Sequence, residues 1–442
     1  MDLQLFCEKA GRSVKGLRYM DSELGALQQS IPFEELARLF PARSPLGSKP
    51  FFDVKGMLAL QVLKAHLGLS DDMLRQRLNT DWALQMFCFV NLSTSEIKDR
   101  DIVGRCRRWL AEHIDYAACQ KVLVTDWLPF IHQKAAVVMD ATCYEVKMRF
   151  PSDIKLLYEA CQWIWYLIDH WNLLLNERKV RRKDKEVYTT YRHVAKMKRK
   201  TKSKRRAITR RLLNLLRKGL DTWADMKKTH GQAIMLSEKE MNKKDLIEEV
   251  YLQQCIRFLN PDEKIKDRIV SLSQPWVRPI IRGKETKLVE FGAKVHTFMV
   301  DGISFVEYFS FDAFHEGKRL EDTIKQAEEY FGRCRMLSAD RIYAMNANRR
   351  YCSSRGMTTT FLPKGPKVEL SKEKKQIKAA LNSARANQLE GSFGNEKNHY
   401  GLNRVVAKRE DTQKLMIYFG IWTASAMKIR RRRKKQIENI AA

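Results

Sequence analysis

Two short apolar runs, far apart in the chain, constrain its fold more than any other feature. Ala135-Ala-Val-Val-Met-Asp140-Ala-Thr142 and Arg335-Met-Leu-Ser-Ala-Asp340 each read as a buried strand that delivers an acid at its exit. A carboxylate in that position is costly unless it is paired or holds a cation. An Asp that closes a turn or caps a helix is the plain alternative, and either run alone leaves it open.

What lies between and after these runs sets the class. Beyond Phe150-Pro-Ser-Asp153 the pattern is helical for more than a hundred residues, with Ser152 as an N-cap. Leu156, Leu157, Cys161, Ile164, Leu167, Ile168 and Trp171 make a core-facing stripe there. Asp153 reads as a first-turn acid or, less simply, a ligand. A β-rich zone follows, with Asp301-Gly302 between two β-prone runs as a hairpin signal. Then come a helix from Leu320 to Phe331, the Asp340 strand, a helix over 342–354 closed by Gly356, and a strand over 358–362. A basic linker (364–378) runs into a segment containing Glu390 and, seven positions on, Lys397. If that segment is helical, two turns put Glu390 and Lys397 on one face. Without the helical block, the element order is that of a ribonuclease-H-like α/β fold. Asp140, Asp340 and Glu390 could converge there.

Ahead of these elements the pattern is helical. After a leader ending in Phe40-Pro-Ala-Arg-Ser-Pro-Leu-Gly-Ser-Lys-Pro50, an apolar stripe runs from Met57 to Leu67. Ser70 or Asp71 would cap a second helix, and further helices span 102–113 and 116–131. Helix, turn, helix and a basic helix bearing Arg105, Arg107 and Arg108 suit a helix-turn-helix-like DNA reader or a plain bundle. The expected organisation is therefore a leader (1–45), an all-α amino-terminal domain (46–133), and an α/β catalytic domain with a mixed sheet (134–150 and 268–427). A basic helical insertion (151–267) interrupts the last, and a basic tail (428–442) follows it. An amphipathic helix spans 412–427, and Lys428 to Lys435 is expected to be disordered until bound.

Charge decides the partner. The 442 residues carry 82 Lys and Arg against 52 Asp and Glu, a formal +30, which calls for a polyanion, nucleic acid above all. The densest run, Lys196-Met-Lys-Arg-Lys-Thr-Lys-Ser-Lys-Arg-Arg206, repels itself unless phosphates neutralise it, so Lys198, Arg199, Lys200, Arg205 and Arg206 are expected to meet DNA backbone. Arg105 and Arg108, and a basic sheet edge of Arg278, Arg282, Lys284 and Lys294, would add to this. A membrane is the weaker partner, because Glu159, Asp169 and His170 interrupt the most apolar stretch. The amino terminus lacks a signal-peptide pattern. Nine scattered cysteines without a C-x-x-C pair read as reduced thiols in a cytosolic protein. Three converging carboxylates would repel one another unless filled by metal, and all-oxygen ligands favour Mg²⁺ or Mn²⁺. Two such ions about 4 Å apart suit phosphodiester chemistry without a protein nucleophile.

Leu389-Glu-Gly-Ser-Phe-Gly-Asn-Glu-Lys-Asn-His-Tyr-Gly-Leu resembles the carboxy-terminal signature of bacterial insertion-sequence transposases of the DDE class. The group it is most similar to, insertion-sequence-five-like, reads Ile-Glu-Gly-Lys-Phe-Gly-x-x-Lys-x-x-Tyr-Gly-Leu. Val137-Val-Met-Asp-Ala-Thr with Pro151-Ser-Asp is similar to that group's first-acid region, and Leu337-Ser-Ala-Asp-Arg-Ile-Tyr with Asn348-Arg349 to its second. Residues 279–294 and 56–110 share the likeness. The resemblance implies that Asp140, Asp340 and Glu390 bind two Mg²⁺ or Mn²⁺ ions and that Lys397 touches DNA near the cleavage site. It also implies double-stranded DNA as partner, both terminal inverted repeats and target, with cleavage at the ends and joining of 3′-hydroxyls. A homodimer or larger assembly on DNA, in the bacterial cytoplasm and on the nucleoid when bound, goes with it. Two positions depart from the pattern. The Arg usual four residues before the Glu is Ala386 here, with Arg385 one place off, and Arg341 replaces the usual lysine after the second Asp. A DNA-binding protein that keeps the scaffold without catalysis is the alternative, and a nuclease that never joins strands is a third.

Overall fold

Six strands form in a computed structural model of the chain, which describes residues 14–42, 50–281, 288–362 and 371–441. They are β1 (Ala136–Glu145), β2 (Arg278–Ile281), β3 (Val289–Val300), β4 (Ile303–Ser310), β5 (Met336–Ser338) and β6 (Thr358–Thr359). Both acid-bearing runs are strands, β1 and β5. They pair in parallel, with Val137 opposite Leu337 and Val138 opposite Ser338. β6 adds a short parallel pairing to β5, and β3 lies on the other side of β1. β3 turns back antiparallel into β4 at Asp301-Gly302. There φ is 50° at Asp301 and 78° at Gly302; two positive values in a two-residue loop match the twist of the strands, which is why Asp-Gly suits the place. The result is a mixed α/β fold.

The chain divides into two compact units, Met1–Lys147 with Ala293–Ala442, and Met148–Gly292. In the first, the helix Val54–Leu67 is buried continuously from Gly56 to Leu63. It packs against the helices Phe33–Ala37, Ile102–His113 and Glu410–Ala441. Asp53 caps its start, and Ser70 caps Asp71–Thr80 by accepting from Met73 N–H at 3.2 Å. The helix expected over 116–131 ends at Trp127, with a 3₁₀ turn over Leu128–Phe130.

The last helix departs most from expectation. It runs unbroken from Glu410 to Ala441, so the basic stretch read as disordered is helical. Its like charges are separated by docking. Lys428 donates to Gly302 O (2.8 Å) and Ser392 Oγ (3.2 Å). Arg430 pairs with Glu23 (2.9 Å), Arg432 with Asp301 (2.9 Å) and Arg433 with Asp126 (3.3 Å). Other differences are local. The helix read over 342–354 is a 3₁₀ turn, Arg341–Tyr343, followed by Asn346–Ser354. The strand expected to reach Leu362 stops at Thr359. The supposed linker is helical from Lys372 to Ser383, residues 363–370 lying outside the described residues.

The second unit holds the helices Asp153–Leu174, Asp184–Lys196, Lys202–His230 and Glu238–Leu259. Leu157, Cys161, Ile164, Ile168, Leu212, Leu216 and Trp223 build its core. Trp165, left outside the stripe by sequence, is buried in it and donates its indole N–H to Leu215 O at 3.2 Å. Asp153 is a clamp here. It accepts from Gln254 (3.1 Å), Arg257 (3.3 Å) and Arg268 (2.8 Å), which overcome its burial and hold its carboxyl below the usual range. β2 pairs with the first residues of β3, from Arg278–Gly292 to Ile281–Val289.

Candidate active site

Register places two of the three acids just beyond one strand pairing. Val138 faces Ser338 across the parallel pair, whose strands lie about 4.8 Å apart, and Asp140 and Asp340 each follow two residues after that last paired position. β1 continues through Asp140. The neighbouring segment leaves the sheet after Ser338, and the Asp340 carboxylate accepts from Arg341 N–H at 2.6 Å and so caps the turn that follows.

Glu390 opens the helix Glu390–His399. Leu389 and Phe393 pack on Val138 and Met299, which anchors this helix on β1 and β3. The turn before it, Ala384–Leu389, is a π-helix, and Glu390 N–H bonds to Arg385 O five residues back. That wider turn takes one residue more than an α-helical one. It brings Arg385 back towards Glu390, with Nη1 3.2 Å from Glu390 Oε1 and 3.7 Å from Asp140 Oδ2. The arginine one place off in sequence thus sits between two of the acids. Lys397 follows on the same helix and donates to Thr142 Oγ1 at 3.1 Å. Thr142 is two residues beyond Asp140, on the same face of β1, so Glu390 and Lys397 track Asp140 and Thr142. The neighbouring Glu396 is buried, accepting from Tyr144 and from Ser392 (2.9 Å).

Burial pushes the Asp140 carboxyl up to about 6. Ala141 N–H and Arg385 oppose this, while the charges of Glu316 and Asp340 reinforce it. Glu316, which opens the 3₁₀ turn Glu316–Arg319, was not singled out in the sequence. It pairs with Lys294 at 2.7 Å, and Lys294 also donates to Phe314 O at 2.8 Å. Lys294 is 8% exposed. It faces this acid rather than presenting a basic sheet edge to solvent.

A buried chain of side chains lies beneath. Tyr343 Oη is 2.7 Å from His296 Nε2, and His296 Nδ1 is 3.0 Å from Glu307 Oε2. Burial drives Glu307 up, but His296 and Arg319 outweigh it and hold the carboxyl below its ordinary value. Burial raises the Tyr343 phenol well above its usual range, and Asp140, Glu316, Glu307 and Asp340 add to that. Tyr343 N–H donates to Asp340 O at 3.0 Å, and Thr297, next to His296, reaches Asp140 O at 3.5 Å. The chain therefore ties the turn carrying Asp340 to the strand beside Asp140. No single residue type advertised it; the signal is the pairing of β3 with β4.

Among the described residues no three carboxylate, imidazole or thiol groups lie close enough together to grip one ion. Asp140 and Glu390 instead share a guanidinium as counter-ion, and burial, helped by the charges of Glu316 and Asp340, keeps the Asp140 carboxyl raised in spite of it. Oxygen donors short of countercharge fit a hard divalent cation.

The expected DNA contacts are spread over both units. In the first, Arg341 and Arg108 are exposed, and Arg105 is exposed but pairs with Asp99. In the second, Lys198, Arg199 and Arg205 are exposed and Lys200 is half-buried. Arg206 lies over the Phe258 ring at 4.5 Å. Arg278 is half-buried and donates to Pro275 O. Arg282 and Lys284 lie outside the described residues.

Residues 337–423 match the family described as "Transposase DDE domain". Residues 13–109 match that described as "Transposase domain (DUF772)". No curated protein and no solved structure matches the chain. The first match spans Asp340, Arg385, Glu390 and Lys397; the second spans the amino-terminal helices through Trp109. None of the described helices is long and apolar enough to cross a membrane. Two transposase families, matched in this order along one sequence, indicate an insertion-sequence transposase of the DDE class.

Proposed function

We propose that the protein binds the terminal inverted repeats of its element, cleaves DNA at the element ends and joins the 3′-hydroxyls to target DNA, with Asp140, Asp340 and Glu390 as the catalytic acids. The observation that carries this is Arg385 held between Asp140 and Glu390, while Asp340 follows two residues after the strand paired with β1. The sheet order β4-β3-β1-β5-β6 supports a ribonuclease-H-like catalytic domain. The Leu389–Leu402 stretch supports the insertion-sequence-five-like group. The amino-terminal helices and the 151–267 insertion would be separate DNA-gripping parts.

Two Mg²⁺ or Mn²⁺ ions held by the three acids would supply charge stabilisation of the attacking and leaving oxygens. The chain's own residues do the rest. Arg385 balances Asp140 and Glu390 until DNA arrives and then has a phosphate within reach of its fork. Lys397, braced on Thr142, gives a fixed positive charge one strand step beyond the acids. Arg341 and the exposed cations of the 198–206 run hold backbone phosphates. Pairing two element ends calls for a dimer or larger assembly on DNA, and a reduced-thiol composition suits the cytoplasm.

The test is Mg²⁺- or Mn²⁺-dependent nicking of DNA carrying the element's own ends, for wild type and Glu390→Gln. Glu390 is 54% exposed, so the substitution leaves the fold intact. Loss of nicking with DNA binding kept supports the assignment, and equal nicking by both proteins sinks it. Tight binding with no nicking by either would make the protein a non-catalytic DNA binder.

A further inference from the structure

The first unit contains a cavity of 710 Å³ whose walls come from the two segments matched separately to transposase families. One wall is the end of the Val54–Leu67 helix, the turn after it, and Arg107. The other is the loop 397–406, with Met416 and Phe419 of the last helix behind it. Lys147, just past β1, joins them.

Its charge is one-sided. Among the described residues lining it, Asp71 is the single acid, against Lys64, Arg107, Lys147, Lys397 and Arg404. Asp71 is already matched. Arg107 grips it with two bonds (3.0 and 2.7 Å) and Lys64 pairs with it at 2.9 Å, while Gln61 holds Arg107 Nε at 3.1 Å. That wall is therefore rigid and carries spare positive charge. Lys147 and Arg404 are set together by backbone: Lys147 N–H donates to Val405 O at 2.7 Å and Val405 N–H to Glu145 O at 2.8 Å, around a parallel bridge between Val146 and Val405. Both side chains are exposed. Cations lining one cavity repel one another unless an anion sits among them. A concave site focuses that field.

We propose that this cavity binds the sugar–phosphate backbone of the DNA strand that continues past Lys397, gripping it between the amino-terminal helices and the carboxy-terminal loop. The inference rests on the transposase reading above. It gives the amino-terminal segment a defined task, as one wall of a phosphate channel leading to the catalytic acids. On this view the segment contributes through the inward wall that Arg107 braces, not through the outward Arg105 and Arg108.

The full-length protein, wild type and Lys147→Ala/Arg404→Ala, would be titrated with end-bearing duplex DNA over a series of salt concentrations. Neither residue touches the acid cluster. Each lost phosphate contact lowers the slope of log affinity against log salt by about 0.9. The double variant should therefore lose between about one and two from the slope and bind roughly tenfold or more weakly at fixed salt. Lys121→Ala/Lys325→Ala removes the same charge from exposed ion pairs elsewhere in the unit, and its slope should stay at the wild-type value. Equal losses in the two double variants would overturn the cavity proposal and leave the transposase reading standing. Absence of salt-dependent DNA binding by the wild type would overturn both.

Discussion

Removing Asp140, the first of the proposed catalytic acids, should stabilise the protein. Asp140 has a folded-state pKa of about 6 against an ordinary 3.8. The folded chain then holds this proton more tightly than the unfolded chain does. Stability linked to Asp140 is complete below the ordinary value and is lost as pH climbs through about 6. Near neutrality and above, the ionised carboxylate costs the fold roughly 3 kcal/mol, at about 1.4 kcal/mol per pH unit. Asp140→Asn keeps the shape and cannot ionise, so it escapes that loss. The assay is denaturant or thermal unfolding with a chelator present, near pH 4 and near pH 8. At the higher pH the variant should be more stable by about 2–3 kcal/mol, which is several degrees in melting temperature; near pH 4 the two proteins should converge. Adding Mg²⁺ should raise the wild type more than the variant, because the variant keeps only Asp340 and Glu390 to balance the ion. A variant less stable than wild type at pH 8, or a gap that does not close towards pH 4, would refute the claim that the site stores strain as an under-compensated carboxylate.

Arg385→Ala should lower nicking at least tenfold, and adding Ala386→Arg to it should not restore activity, because the π-turn points position 385 at the acids; rescue by the second change in a nicking assay would refute that geometry. Arg432→Ala leaves Asp301 without its charged partner at the β3–β4 turn and should cost about 1.5–3 kcal/mol in urea unfolding. An unchanged midpoint would mean that the basic end of the last helix is not docked there in solution.

Much of this site could be read from the sequence because its parts are local. A β-branched run with an acid at its exit needs no distant partner to be recognised: β1 forms through Asp140, and β5 forms and ends two residues before Asp340. Asp301-Gly302 is a turn by its own chemistry, and the helix Leu320–Phe331 has the bounds its periodicity suggests. The failures are of another kind. Residues 428–435 read as disordered because adjacent cations repel, and nothing nearby relieves them. The relief comes from Glu23, Asp126 and Asp301, all more than a hundred positions upstream. Lys294 looked like a solvent-facing cation for the same reason, since its partner Glu316 lies beyond a whole hairpin.

Arg385 is the instructive case, because a pattern of spacings assumes a regular helix. Five residues separate it from Glu390, a spacing that on an α-helix turns the two side chains well apart. Within a π-turn the same five residues close one loop, and the guanidinium meets Glu390 at 3.2 Å. An arginine displaced by one position and a turn widened by one residue are thus compensating changes. Neither makes sense alone: the wider turn has poorer packing, and the shifted arginine on a regular helix would leave Asp140 and Glu390 without a counter-ion. That they occur together argues that holding a cation between these two carboxylates is what the segment Ala384–Leu389 is built to do.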